Sequence, residues 1–221
     1  MLAGTRAIDI ALQVAAGLSE AHRIGLVHRD IKPSNVFLAA AQGGRQIAKL
    51  IDFGIVKTLG ADTAITRGDE MLGTPEYMSP EQIGAPETVD RRTDIWSLGA
   101  VMFWMLSGEH PFTGATKLEL LTAVLSDEPR RLGSLRPDLP AQISQTVDGC
   151  LVRDMSRRLS SVAEVAARLA PFASSEGQHA AALAMTEAPR SSGVRGAFKP
   201  SEATELMSRP AKTVEFRTPK K

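Results

Sequence analysis

The sequence predicts a mainly α fold carrying a short β-hairpin, and three features predict it. Over residues 5–24 the apolar residues Ile8, Ala11, Leu12, Ala15 and Leu18 recur at the steps of one helix face. Residues 94–106, DIWSLGAVMFWML, are apolar on nearly every face, the mark of a helix buried all round. Two short β runs, VFL at 36–38 and AKLI at 48–51, flank Gly43-Gly44 and predict a hairpin-like pair. With 43% apolar residues in 221, the chain can fill a core, since a body of this size buries roughly 70% of its unfolded surface.

Taken in order, the first helix is stopped by Gly25. The hairpin follows, then the buried helix 94–106, then an amphipathic helix at 117–125. Two more helices are expected near 141–152 and 162–170, the last opened by a capping box in which Ser161 precedes Glu164 by three residues. Composition changes beyond Phe172, where Ala, Ser, Pro and charge dominate. Residues 173–221 hold 8 Lys/Arg and 5 Asp/Glu, net +3, which leaves the body 18 against 20, net −2. Such a tail buries too little surface to offset its ordering entropy. The expectation is a folded domain over 1–172 and a mostly disordered basic tail over 173–221, with a helical turn around 178–185. No internal repeat is present.

The formal net charge of +1 gives no argument for nucleic acid. No segment reaches the ~18 apolar residues that span a bilayer, and Arg6 and Asp9 spoil the N-terminus as a signal peptide. A single cysteine, Cys150, excludes an internal disulfide and fits a reducing compartment, so the chain reads as cytoplasmic, with Cys150 a small buried side chain.

The stretch HRDIKPSN at 28–35 sets Asp30, Lys32 and Asn35 on one loop. Alone it would read equally well as a solvated turn. It is followed by IDFG at 51–54, GTPEYMSPEQ at 73–82, DIWSLG at 94–99, HPF at 110–112 and RDMSRRLSS at 153–161. In this order the six motifs resemble the protein kinase family from about residue 5 to 172, most nearly the bacterial Ser/Thr kinases of eukaryotic type. The resemblance implies the C-terminal lobe of a kinase, mainly α where the complete kinase is α+β. By the same resemblance, Asp30 accepts the proton of the substrate hydroxyl, Lys32 contacts the transferred phosphate, and Asn35 and Asp52 hold Mg²⁺. Phe37 lies where adenine packs, and Thr74 shapes the substrate pocket beside Asp30 and Lys32. Asp94 holds the catalytic-loop backbone, Glu81 of Ser79-Pro80-Glu81 pairs with Arg158, and His28 stacks on Phe53. His22 reads as a helix-end residue.

Arg29, next to the catalytic Asp, implies a kinase switched by phosphorylation, because an arginine there needs an anion to meet. Thr66, with Thr63 behind it, is the expected phosphosite, and Lys57 a second cation for the phosphate. No G-x-G-x-x-G motif occurs and no lysine precedes Lys32. The expectation is therefore a lower lobe whose ATP-gripping N-terminal lobe is missing from these residues. Two functions follow from the resemblance: an ATP- and Mg²⁺-dependent protein Ser/Thr kinase acting on protein substrates, or a non-catalytic kinase-derived module whose open groove is covered by a missing lobe or a partner.

Overall fold

The computed structural model describes residues 2–41, 46–52 and 74–186. Helix α1 (Gly4–Arg23) buries the face that the apolar spacing marks, from Ala7 and Ile8 through Leu18 to Ala21. Gly25 ends it at φ 80°, a left-handed conformation that costs glycine nothing, and its N–H donates to the His22 carbonyl. A short 3₁₀ turn (Pro33–Asn35) leads into β1 (Val36–Ala40), which pairs antiparallel with β2 (Gln46–Leu50). In the register Val36 faces Leu50 and Phe37 faces Lys49. The hairpin is tied to α1 by the Ala48 N–H, which donates to the Gln13 amide oxygen at 2.6 Å. Gly43 and Gly44 of the expected turn lie outside the described residues.

Short elements that the apolar periodicity does not announce follow: a 3₁₀ turn (Pro75–Tyr77), α2 (Pro80–Gly84) and a second turn (Pro86–Thr88). Then comes α3 (Arg92–Ser107), the centre of the core. Its Ile95, Trp96, Leu98, Met102 and Phe103 are all at most 2% exposed, which accounts for the absence of a polar face in the sequence. Trp96 stacks on Phe112 with ring centroids 5.8 Å apart. Gly99 lets the helix that ends at Cys150 come close, since a Cβ there would stand 2.5 Å from Cβ of Cys150.

Around α3 lie α4 (Lys117–Ser126), α5 (Leu132–Leu135), α6 (Ala141–Cys150) and α7 (Val162–Leu169). Helix α4 is less amphipathic than expected. Leu120, Ala123 and Val124 face inward, but Leu118 is 74% exposed. At α7 the Ser161 hydroxyl accepts the Glu164 N–H, while the Glu164 carboxylate reaches the N–H of Ser160 rather than that of Ser161. The reciprocal half of the capping box is thus shifted by one residue.

The boundary expected at residue 172 is too early. Helix α8 (Ser175–Met185) packs along α1 and buries Gly177, Ala180, Ala181 and Ala184. Composition misleads here because alanine counts as weak apolar surface, yet small residues let two backbones approach closely and bury area on both sides. The Asp9 carboxylate accepts the Ser174 N–H at 3.0 Å, and Ser19 Oγ donates to the Ala184 carbonyl at 2.9 Å. A Cβ on Gly177 would stand 2.1 Å from Asp9 Oδ1, so only glycine fits under that cap. The remainder of the expected tail, 187–221, lies outside the described residues.

Candidate active site

The site is built on Asp94, in the first turn of α3, where a carboxylate suits the positive end of the helix dipole. Its side chain is fully buried, and both oxygens are engaged. Oδ2 accepts the His28 N–H at 2.9 Å and faces His22 Nε2 at 2.8 Å, while Oδ1 accepts the Arg29 N–H at 2.8 Å. One buried carboxylate therefore fixes two successive amides of the loop and the last turn of α1. His22, read from sequence as a helix-end residue, is also the link between α1 and this carboxylate.

The pinning holds the loop in a costly shape. Arg29 sits at φ 66° and Asp52 at φ 56°, and these are the positive-φ non-glycine residues among those described. Left-handed backbone costs an L-residue roughly 1–2 kcal/mol, and it persists where the surroundings over-determine it. At Arg29 the surroundings are Asp94 on the N–H and Gln82, whose Nε2 donates to the Arg29 carbonyl at 2.8 Å. Sequence reasoning missed Gln82. The signal for it was the S-x-x-Q box, because Ser79 caps α2 while Gln82 returns to the Ser79 N–H.

Three side chains then converge. Lys32 Nζ donates to Asp30 Oδ2 at 3.0 Å, and Asn35 Nδ2 donates to the Asp30 carbonyl at 2.8 Å and to Asp30 Oδ2 at 3.2 Å. His28 ties this loop to the other strand. It is fully buried, its Nδ1 accepts the Asp30 N–H at 3.3 Å, and its Nε2 lies 3.1 Å from the Ile51 carbonyl. That pair of contacts assigns the proton to Nε2. Burial lowers the His28 pKa against the raising pull of Asp94, Asp30 and Asp52, so the ring is neutral. The stacking partner expected for His28, Phe53, lies outside the described residues.

Asp52 follows Ile51, whose N–H donates to the Asn35 carbonyl at 3.0 Å. The backbone thus places Asp52 beside the turn that carries Asn35. Strand alternation puts Val36 on the core side, joined there by Leu38, and the half-buried Phe37 on the other face. Thr74 is half-buried at the head of the turn Pro75–Tyr77, and its carbonyl accepts the Tyr77 N–H. Lys57, Thr63 and Thr66 lie outside the described residues.

Below the site, Arg158 donates to both Glu81 oxygens at 2.7 and 3.0 Å with both side chains buried. Burial by itself would raise the Glu81 carboxyl, but hydrogen bonds and charge from Arg158, with a hydrogen bond from Thr93, hold it below the usual carboxylate range. Arg158 also lies 5.0 Å over the Trp96 ring. Burial pushes the Cys150 thiol up to about 12, which makes it an inert core side chain.

The donor set fits Mg²⁺. Asn35 and Asp52 offer hard oxygens, and among the described residues no group of three or more His, Cys, Asp or Glu gathers to cage a metal. Mg²⁺ takes one or two such ligands and completes its shell with phosphates and water.

A helical body framing a pinned Asp-Lys-Asn loop with a two-stranded hairpin is the architecture of a protein kinase lower lobe. The family described as protein kinase domain matches residues 2–170, and the chain belongs to that family. It is 39% identical over 170 residues to the serine/threonine-protein kinase pkn2 of Myxococcus xanthus, covering 75% of this chain and 20% of that one. It is 34% identical over 224 residues to PknA of Corynebacterium glutamicum, covering 97% and 44%. To PknB of Mycobacterium tuberculosis it is 30% identical over 188 residues, covering 85% and 29%. The chain therefore spans less than half the length of these relatives. No helix among the described residues is long and apolar enough to cross a membrane.

Proposed function

We propose that these residues form the substrate-side half of an ATP-dependent protein Ser/Thr kinase working in the cytoplasm. The observation that carries the reading is the Asp30, Lys32 and Asn35 cluster on a loop that Asp94 holds in a strained conformation. Phosphoryl transfer asks little covalent chemistry of a protein and much positioning and charge neutralisation. In this reading Asp30 orients the substrate hydroxyl and accepts its proton, and Lys32 neutralises charge on the transferred phosphoryl group. Mg²⁺, when bound by Asp52 and Asn35, offsets the charge of the β- and γ-phosphates. Asn35 is oriented by giving its Nδ2 to Asp30, which leaves its amide oxygen available as a metal ligand. Phe37 lines the groove under the adenine, and Thr74 closes the substrate side. A clamp over the phosphates has to come from a lobe or a partner covering the groove.

Regulation follows from Arg29. Among the described residues its guanidinium has no hydrogen-bonding or ion-pair partner, and it lines a cavity of about 630 Å³ together with His22, Arg91 and Arg92. A phosphothreonine would satisfy it with about −1.5 to −2 charge. Thr66 is the proposed donor of that phosphate, with Thr63 next to it in the same segment and Lys57 as second cation.

The test is transfer from Mg·ATP to a basic protein acceptor by the complete gene product that carries these residues. Asp30→Asn and Asp52→Ala should each abolish it, and Thr66→Ala should lower it while Thr58→Ala should not. Transfer that survives both aspartate changes would refute the reading. Tight partner binding without any transfer would establish the non-catalytic module instead.

A further inference from the structure

We infer that Gln82 is a positioning residue for phosphoryl transfer: its amide fixes the peptide plane in front of Asp30 and ties the placing of that carboxylate to the segment that carries Thr74. The inference rests on the kinase reading above. Each peptide plane offers two groups to hold, a carbonyl and an N–H. In the plane before Arg29, the Arg29 N–H donates to Asp94 Oδ1 at 2.8 Å. The plane after Arg29 is also the plane before Asp30. There the Arg29 carbonyl accepts from Gln82 Nε2 at 2.8 Å, and the Asp30 N–H donates to His28 Nδ1 at 3.3 Å. With both planes held, the backbone of Arg29 is set from outside, which is what keeps it at φ 66°. The contact to His28 is the longer one and stays within the loop, whereas Gln82 brings its hold from another element. A rotation of that plane swings the Asp30 Cα, and with it the carboxylate that Lys32 and Asn35 meet. Misplacing a reacting group by about 1 Å costs up to about a hundredfold in rate.

The amide of Gln82 is itself fixed at its other end. Its oxygen accepts the Ser79 N–H at 3.1 Å, and the Gln82 N–H donates to Ser79 Oγ at 3.3 Å, the capping box of α2. Ser79 Oγ lies 3.0 Å from Thr93 Oγ1, and the Tyr77 carbonyl accepts from Ser97 Oγ at 2.7 Å, so this stretch is anchored on α3. The two ends of the amide cannot be exchanged, because the Ser79 N–H needs an acceptor and the Arg29 carbonyl needs a donor. Thr74 and the turn Pro75–Tyr77 stand directly before the box. A shift of that turn therefore reaches the Arg29 carbonyl through one side chain, and Asp30 through the next peptide plane. In the kinase reading the turn closes the substrate side. The seat of the acceptor and the base that takes its proton then move as one unit.

The two duties of Gln82 can be separated chemically. Glutamate keeps an acceptor for the Ser79 N–H and serves as well as glutamine at this place in a capping box. Its ionised carboxylate has no hydrogen to give the Arg29 carbonyl. Methionine has a similar length and supplies neither the acceptor nor the donor. Gln82→Glu thus removes the tie to the loop and leaves the cap, while Gln82→Met removes both.

The experiment measures kcat and KM for transfer from Mg·ATP to a basic protein acceptor by the complete gene product, native and with each substitution, beside their thermal unfolding midpoints. The assay runs at a temperature where circular dichroism shows every variant fully folded, so that a fallen kcat does not report unfolding. Gln82→Met should lower the midpoint and Gln82→Glu should not. In both, kcat should fall about tenfold or more, the loss of one well-placed hydrogen bond. KM for the acceptor and for Mg·ATP should stay within about twofold of native, because the tie acts on the reacting geometry and not on ground-state binding. Native kcat in either variant would overturn the inference and leave Gln82 as a cap of α2. A loss confined to KM would overturn it as well. Both results leave the kinase reading intact, since that reading stands on transfer by the native protein. Absence of transfer by the native protein would remove the kinase reading, and this inference with it.

Discussion

Arg158 and Glu81 show how two buried charges hold a loop in place. Arg158 spends its donors on Glu81, on the Val152, Arg92 and Arg153 carbonyls and on the face of Trp96, so little of its burial cost is left uncompensated. Removing one partner leaves the other as an unpaired buried charge, and Arg158→Ala should cost about 3–5 kcal/mol in urea unfolding. The pH dependence of that loss has a definite sign. In the native protein Glu81 titrates below its unfolded value, so its contribution is present above the ordinary carboxylate range of about 4.3 and lost as pH falls through the lower folded value. Without Arg158, burial dominates and the carboxyl shifts upward, so acid relieves it. The gap in stability between the native protein and the variant should therefore be widest near neutral pH and narrow on acidification. A gap that widens in acid would contradict the assignment. Both residues were legible in the sequence because they sit in motifs. Gln82, which meets the Arg29 carbonyl, was not, since one side-chain amide bridging two loops leaves no periodic trace.

At the level of elements, legibility follows the size and spacing of apolar side chains. Helices α1, α3 and α7 are strongly written, because each buries large residues at regular steps. The short turns at Pro33–Asn35 and Pro75–Tyr77 are held by backbone geometry and tertiary contacts, and three residues carry no period to read. Helix α8 falls between the two, with a packing face of glycine and alanine that resembles the composition of an unfolded tail. Its contribution is measurable. A chain ending at residue 174 would uncover the face of α1 that carries Asp9 and Ser19, and it should unfold at a lower urea concentration with a smaller m-value than one ending at 186. Equal midpoints for the two chains would mean that α8 rests on α1 without stabilising it. Gly177→Val tests the same contact at one residue, because a Cβ there would collide with the Asp9 carboxylate.

For the whole molecule, the question is how much catalysis this half can deliver unaided. Lys32 and Asn35 are both already bonded to Asp30 and the loop is already pinned, so on the proposed reading the substrate side needs little reorganisation before reaction. What these residues do not contain is a glycine-rich loop or a lysine ahead of Lys32 to grip the β- and γ-phosphates and keep water out. Positioning of a reacting group is worth roughly 7–11 kcal/mol in favourable cases. Losing about 7 kcal/mol of it, at 1.36 kcal/mol for each tenfold in rate, removes about five powers of ten. Residues 1–221 alone should thus transfer phosphate to a basic protein at a rate near the detection limit, while a form completed by a covering lobe turns over normally. On the proposed reading nucleotide affinity should fall too, because Phe37 would cover only one face of the adenine. Calorimetry with Mg·ATP and a radiolabel transfer assay on 1–221, beside Asp52→Ala as blank, measure both. Turnover by 1–221 within about a hundredfold of the completed form would mean that the clamp supplies under ~3 kcal/mol, and that the pinned loop carries most of the catalysis.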